Sequence, residues 1–163
     1  MRMMMKKFPQ SVCEKEAHIY FMRLALEEAG LAFSEGEVPV GALVVINGAV
    51  TSKAHNLRER LNDPVAHAET IALRGAAHLM HTWRLTNATL YVTKEPCIMC
   101  AGAMVNARLG RLVYGCNDPK GGGVNSLYTL LSDKRLNHQV EVLSGVLEDE
   151  CGLLLRRFFE ERR

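Results

Sequence analysis

The first half of the chain shows helical and then strand-like spacing of apolar positions. In residues 13–33 the apolar positions recur at helical spacing, which predicts an amphipathic helix. Residues 38–46 are a nearly continuous apolar run, and residues 49–54 return after Asn47-Gly48, a pair typical of hairpin turns. Because residues 40–46 show no polar alternation, we expect that strand to be covered on both faces.

The second half alternates between predicted helices and strands. Asp63 before Pro64 suits an N-cap with proline in the first turn, which predicts a helix to about residue 80. Pro96 similarly opens a predicted helix. Further strands are predicted at 89–93, 111–115 and 139–143, a short helix at 126–131 and a last helix at 148–161. The long gap before the last strand favours a crossover between parallel strands. The expected fold is α/β, a three-layer α-β-α sandwich around a five-stranded mixed sheet.

Length and composition place these elements in one domain, residues 1–163, with residues 1–11 as a flexible N-terminal extension. The hydrophobic content of 48% is ordinary for a soluble protein, and a net charge of +2 does not by itself indicate nucleic-acid binding. Five cysteines, an odd number, suit a reducing cytoplasm, with two thiols on a metal and three free. No stretch approaches the length of a membrane span, so we expect a cytoplasmic protein without a membrane partner.

Two short motifs carry the candidate chemistry, His67-Ala68-Glu69 and Pro96-Cys97-Ile98-Met99-Cys100. His67, Cys97 and Cys100 supply three ligands for one tetrahedral Zn²⁺ per chain and leave the fourth position open. A structural zinc site normally has four protein ligands, so this set predicts a catalytic one. Zinc lowers the pKa of its water to about 7, and Glu69 is the natural group to carry protons.

The cysteine motif by itself is equally compatible with a redox pair, since redox pairs lie near βαβ patterns such as this one. The redox interpretation leaves His67 and Glu69 without a role. The histidine motif followed by Pro-Cys-x-x-Cys resembles the signature of zinc nucleobase deaminases. Spacing does not bring His67 and Glu69 together, because two residues are about 200° apart on a helix. Their convergence on one zinc ion is implied by the resemblance alone.

The chain resembles bacterial tRNA-specific adenosine deaminases along nearly its whole length. The matching stretches are residues 37–42, 63–69, 95–104, 136–138 and 150–152, with Phe158-Phe159. The resemblance implies a cytidine-deaminase-like fold and the zinc-dependent hydrolysis of adenosine to inosine at the wobble position of a tRNA anticodon loop. It also implies a homodimer, in which Ala101, Gly102 and Ala103 would let a second chain approach.

The resemblance further implies three substrate contacts, and the side chains of the last helix indicate two more. Asn56 would hydrogen-bond the flipped nucleoside, the backbone at Ala68 would contact the base or the attacking water, and Asp118 would lie near the ribose. As an alternative, Asn56 and Asp118 are ordinary turn residues. On the last helix, Arg156 would hold phosphate and Phe158, or else its neighbour, would stack on a base. The alternative is a solvated arginine and a core phenylalanine; we expect one phenylalanine buried and one exposed.

One loop departs from the family pattern, because Asn125 in residues 120–126 stands where glycine is usual. This departure leaves the shape of the loop open. Two other functions remain open as well. A free-base or nucleotide deaminase acting on guanine or deoxycytidylate would share the zinc chemistry but would not need the Arg-Phe helix. A non-catalytic RNA-binding zinc protein would not need the proton carrier Glu69.

Overall fold

The computed structural model describes residues 7–9 and 11–163. Its elements in chain order are α1 (Glu14–Ser34), β1 (Gly41–Ile46), β2 (Ala49–His55), α2 (Arg58–Leu61), α3 (Ala68–Met80), β3 (Ala88–Lys94), α4 (Ile98–Asn106), β4 (Arg111–Cys116), β5 (Glu141–Leu143) and α5 (Glu148–Glu160), with a 3₁₀ turn at Leu130–Ser132 before β5.

The strands form one mixed sheet in the order β2-β1-β3-β4-β5. β1 is antiparallel to both β2 and β3, while β3, β4 and β5 run parallel. The predicted hairpin turn is confirmed, since Asn47 and Gly48 have φ of 51° and 73°. The predicted crossover is confirmed as well, because β5 pairs with β4 in parallel.

Helices cover both faces of the sheet, which confirms the three-layer sandwich. On one face α3 and α4 pack against the strands, with Leu73 and Met104 beside Leu90 and Leu112. On the other face α1 and α5 pack, with Phe21, Met22 and Cys151 beside Leu43 and Val113. β1 is buried from Gly41 to Val45, as its uninterrupted apolar sequence predicts.

Two predicted helix starts are wrong, one by four residues and one by two. α3 begins at Ala68 rather than at Pro64, because Asp63 Oδ1 accepts the N–H of Val65 at 2.9 Å and closes a turn of its own. α4 begins at Ile98, two residues after Pro96. The predicted strand 38–46 also shortens, since the N–H of Val40 donates to the carbonyl of Val38 at 2.8 Å before β1 begins.

The predicted short helix at 126–131 is replaced by turns and the 3₁₀ segment. The N–H groups of Leu127 and Tyr128 both donate to the carbonyl of Gly122 at 3.2 Å, five and six residues back rather than the four of an α-helix. The last strand begins at Glu141 rather than at residue 139, because the N–H of Val140 turns back to the carbonyl of Leu131 at 2.9 Å.

Part of the predicted N-terminal extension contacts the domain. The N–H of Phe8 donates to the carbonyl of Gly48 at 2.9 Å, and its ring centroid lies 4.8 Å from that of Tyr20. Residues 1–6 and 10 of that predicted extension lie outside the described residues. Among the helices that the structure describes, none has the length and apolar character needed to cross a membrane.

Candidate active site

The residues just before two helices bring the predicted metal ligands together. His67 precedes α3 with φ −81° and ψ 151°, and Cys97 precedes α4 with φ −73° and ψ 176°. Both residues are therefore extended rather than helical. Cys100 lies in the first turn of α4. The helical angle between His67 and Glu69 is irrelevant, because only Glu69 belongs to the helix.

The three side chains have the spacing of a zinc site. His67 Nδ1 lies 3.7 Å from Cys97 Sγ and 3.5 Å from Cys100 Sγ, and all three ligand atoms lie within 4.8 Å of one another. Zinc–sulfur bonds of about 2.3 Å and zinc–nitrogen bonds of about 2.0 Å at tetrahedral angles separate nitrogen from sulfur by about 3.5 Å. One imidazole and two thiols at this spacing fit zinc.

The electrostatics of the donor set also favour a cation. The hydrogen bond with Cys100, together with the one to His67, lowers the pKa of the Cys97 thiol to about 3. The same hydrogen bond, with burial and the charge of Glu69, raises the pKa of Cys100. The hydrogen bond to Cys97 raises the pKa of His67. One proton is thus left between the two cysteines, on Cys100. A divalent cation would displace it, because both cysteines bind metal as thiolates.

Glu69 is a buried carboxyl beside the three ligands. Only 4% of the residue is exposed, and burial raises the pKa of its carboxyl group. It is not a member of the three-residue ligand cluster. A carboxyl group with a raised pKa takes up and returns a proton readily near neutral pH, which suits a general acid and base.

These residues border a cavity of about 290 Å³. Of the predicted site residues, His67, Ala68, Glu69, Cys97 and Asn56 line it. The size corresponds to a small-ligand pocket, which begins at about 300 Å³. Its other lining residues are Val38, Val40, Arg58, Lys94, Glu95 and Phe159. Polar groups and an aromatic ring therefore surround the predicted metal cluster.

Three predicted substrate contacts do not line the cavity. Asp118 forms an ion pair with Lys94, which does line the cavity. The Oδ2 of Asp118 lies 2.8 Å from the Nζ of Lys94. Arg156 is exposed on α5. Phe158 requires a correction, because it is 4% exposed and packs edge-on against Phe33.

Phe159, rather than Phe158, lines the cavity. The residue is 51% exposed. The guanidinium of Arg162 lies 3.6 Å from the ring centroid of Phe158 and covers it further. One phenylalanine is thus buried and one is exposed, as expected.

The sequence analysis missed the role of Glu95, which organises the glycine-rich loop. This buried carboxylate accepts the N–H groups of Asp118, Val124, Asn125 and Ser126 at 2.9, 3.3, 2.7 and 2.8 Å. A buried acid directly after an apolar strand is the signal that was available. Asn125 contributes a backbone N–H, has an exposed side chain and is not among the residues with positive φ, so the fold does not require glycine there.

The comparisons with known proteins agree with this geometry. The model of the MafB19-like deaminase family matches residues 16–163. A tRNA-specific adenosine deaminase of Bacillus subtilis (strain 168) is 52% identical over 143 residues, which span 88% of this chain and 89% of that protein. The chain belongs to the tRNA-specific adenosine deaminase family.

Solved structures support the same family. A structure from a study of A-to-I editing by tRNA:A34 deaminases has a TM-score of 0.81 and 45% identity, and covers 83% of this chain and 99% of that chain. A guanine deaminase of Bacillus subtilis is 34% identical with a TM-score of 0.59, but covers 61% of this chain and 64% of that chain. The predicted resemblance and the cytidine-deaminase-like fold are therefore confirmed.

Proposed function

We propose that this protein hydrolyses adenosine to inosine at the wobble position of a tRNA anticodon loop. The observation that carries the proposal is the meeting of a zinc-type ligand set with a buried proton carrier, Glu69, at one cavity. The identity to a tRNA-specific adenosine deaminase over most of both chains supports the choice of substrate.

One Zn²⁺ per chain would be held by His67, Cys97 and Cys100, whose atoms have the required spacing. Bound zinc supplies the acidification of a water molecule at neutral pH. The chain's own residues do the rest of the work. Glu69 accepts one proton of the attacking water and delivers it to N1 of the purine; it then takes the remaining proton from the oxygen now bonded to C6 and delivers it to the amino group, which leaves as ammonia. Adenosine and water thereby become inosine and ammonia.

The walls of the cavity supply groups for a flipped nucleotide. Asn56 is 7% exposed and offers its amide to the nucleoside, while the backbone at Ala68 lies beside the ligand cluster. The exposed ring of Phe159 is available to stack on an unpaired base. Arg58 and Lys94 place positive charge in the wall, where RNA phosphates would approach. Lys94 also holds Asp118 near the cavity, where it would meet the ribose. Arg156 would bind phosphate farther along α5.

We also propose a homodimer formed through a groove between α3 and α4. The groove has a volume of about 630 Å³ and a mainly apolar lining, including Met99, Ala103 and Trp83. Trp83 is 57% exposed, which is costly for a large apolar ring without a partner. The predicted role of Ala101 requires a correction, because Ala101 is fully buried in the core. Gly102 and Ala103 are partly exposed and remain available to a second chain.

We propose, as the sequence predicts, that residues 1–163 act as one deaminase domain. We propose that it acts in the cytoplasm, which is supported by its five cysteines, none of them disulfide-bonded. Light scattering at micromolar concentration tests the dimer. A monomeric mass would contradict it.

A direct test of the function compares three substrates in parallel. Purified protein is incubated with an anticodon stem-loop RNA, with guanine and with deoxycytidylate, and inosine or ammonia is measured. We expect inosine from the RNA, and none from a stem-loop that carries guanosine at the wobble position. Preference for guanine or deoxycytidylate would favour the alternative deaminase activity. Binding of the RNA without turnover of any substrate would favour a non-catalytic zinc protein.

A further inference from the structure

Glu37 is a buried carboxylate that none of the chemistry above uses. Only 1% of the residue is exposed, and it lies directly before Val38, which lines the cavity. Its Oε1 accepts the N–H of Arg60 at 2.7 Å. Its Oε2 accepts the N–H of Glu59 at 3.2 Å and the side-chain Nδ2 of Asn56 at 3.3 Å. Glu37 therefore connects the segment before β1 with the loop that carries Asn56.

The backbone at Asn56 itself is held by partners other than Glu37. The N–H of Asn56 donates to the carbonyl of Val40 at 3.1 Å, and the N–H of Leu57 donates to the carbonyl of Ala66 at 3.0 Å. Glu37 is consequently not needed to place the Cα of Asn56. Its contact with Asn56 is made to the side-chain amide.

Both carboxylate oxygens of Glu37 already act as acceptors, Oε1 for the Arg60 N–H and Oε2 for the Glu59 N–H. Asn56 must therefore turn its NH₂ group, and not its carbonyl, towards Glu37. Within the described part of the chain the amide makes no other hydrogen bond, and Asn56 lines the cavity. The carbonyl Oδ1 and the second N–H of Asn56 are thus left for a substrate, with their positions decided by Glu37.

We propose that Glu37 is a positioning residue that holds the Asn56 amide in a single orientation, and so decides where the cavity presents an acceptor and a donor to the nucleoside. The inference rests on the proposed function only for the identity of the substrate. The orientation of the amide is a property of the chain itself.

The Glu37→Gln variant tests this directly. The Gln carbonyl takes the place of Oε1 and keeps the shorter bond from the Arg60 N–H, so the Glu59 N–H loses its acceptor and the NH₂ group, in the place of Oε2, faces Asn56. Asn56 then reverses its amide to accept this hydrogen bond. We expect KM to rise about tenfold with kcat within about threefold of wild type, because the interaction lost is one that holds substrate and transition state equally.

Glu28→Gln is the matched control. Glu28 is also a buried acid (6% exposed), and it contacts His55, the residue before Asn56, at 2.9 Å. It makes no contact with the Asn56 amide and does not line the cavity. We expect a loss of thermal stability similar to that of Glu37→Gln, but KM within about twofold of wild type, since no substrate hydrogen bond is lost.

The double variant Glu37→Gln/Asn56→Asp separates packing from orientation. The carboxylate at position 56 has no amide to reverse and accepts from the Gln NH₂ group, so the two side chains stay in contact. We expect thermal stability at or above that of Glu37→Gln while KM stays raised, because the carboxylate offers the nucleoside no donor. Recovery of KM in the double variant would overturn the proposal.

A measurement without substrate completes the test. The side-chain amide protons of Asn56, identified by their loss in Asn56→Asp, should be well separated in the ¹H–¹⁵N spectrum of wild type and change in Glu37→Gln but not in Glu28→Gln. Unchanged Asn56 signals in Glu37→Gln would overturn the proposal. So would an unchanged KM, a KM effect of equal size in Glu28→Gln, or a fall in kcat alone.

Failure of the proposed function can be distinguished from failure of the role proposed for Glu37. If wild type prefers guanine or deoxycytidylate, the same KM comparison is made on that substrate. If wild type turns over no substrate, the amide spectrum alone decides the role of Glu37.

Discussion

Replacing Gly122 with alanine should destabilise the loop that covers the candidate active site. Gly122 is buried and forms a bridge with Cys97, and a Cβ added to it would lie 2.3 Å from Oε1 and 2.5 Å from Oε2 of Glu95. Both distances are shorter than real Cβ contacts, so the whole carboxylate must retreat by about 1 Å to reach van der Waals contact. A rearranged rotamer cannot relieve the clash, because Glu95 is 1% exposed.

The hydrogen bonds of Glu95 determine how much the free energy of unfolding falls. Its shortest backbone bonds, from Asn125 and Ser126, measure 2.7 and 2.8 Å, and a displacement of about 1 Å breaks at least one of them. A hydrogen bond to a charged group contributes about 1.5–3 kcal/mol. We therefore expect Gly122→Ala to lower the free energy of unfolding by about 2–4 kcal/mol, which lowers the Tm by about 5–15 °C in a chain of this length.

Thermal unfolding and zinc content by atomic absorption provide the assay. Because the Gly122 backbone pairs with Cys97, zinc should also be lost more readily to a chelator. Gly30→Ala is the matched control, since a Cβ there meets no atom within 4 Å and alanine should stabilise α1 by about 0.5–1 kcal/mol. A Gly122→Ala protein with wild-type Tm and wild-type zinc retention would refute the reasoning.

Four further predictions concern individual side chains. Glu69→Ala should abolish deamination while zinc stays near one per chain, and loss of metal would place Glu69 among the ligands. Phe158→Ala should lower the free energy of unfolding by about 3–5 kcal/mol, whereas Phe159→Ala should leave unfolding unchanged and raise KM for RNA. Arg156→Ala should raise KM for RNA and flatten its salt dependence; normal kinetics would leave α5 without a phosphate contact. Burial raises the pKa of Glu95, but its hydrogen bonds to the loop outweigh burial and lower the pKa on balance. The ionised Glu95 therefore stabilises the folded protein fully above the unfolded pKa of about 4.3. This stabilisation is lost as the pH falls through the folded pKa. The Tm difference between wild type and Glu95→Gln should therefore be large at pH 7 and shrink in acid; a constant difference would contradict this.

The order and type of the main elements could be predicted from local sequence, because they follow local rules. The apolar period of α1, the Asn47-Gly48 turn and the apolar run of β1 each act over a few residues. The predicted boundaries were wrong where a distant group competes for the backbone. Residues 139 and 140 belong to the predicted last strand, but the N–H of Val140 donates to the carbonyl of Leu131 at 2.9 Å, so β5 begins only at Glu141.

The candidate site could be predicted only in part for the same reason. The types of donor in His67, Cys97 and Cys100 are readable in the sequence, since zinc chemistry depends on residue type and approximate spacing. The inward or outward direction of Phe158 and Phe159 is not readable, because adjacent helical residues differ only in what packs against them. Here Phe33 lies against Phe158 and leaves Phe159 exposed.

The sequence by itself thus determined which chemistry is possible: three zinc-type donors, one proton carrier and an α/β frame of five strands. Only the tertiary structure decided how these groups are held. The extended backbone at His67 and Cys97, the carboxylates of Glu37 and Glu95, and the partners of Asn56 and Asp118 depend on contacts between residues far apart in the chain. Local propensity contains no information about such contacts, because a buried charge is stable only where the folded chain supplies its hydrogen bonds.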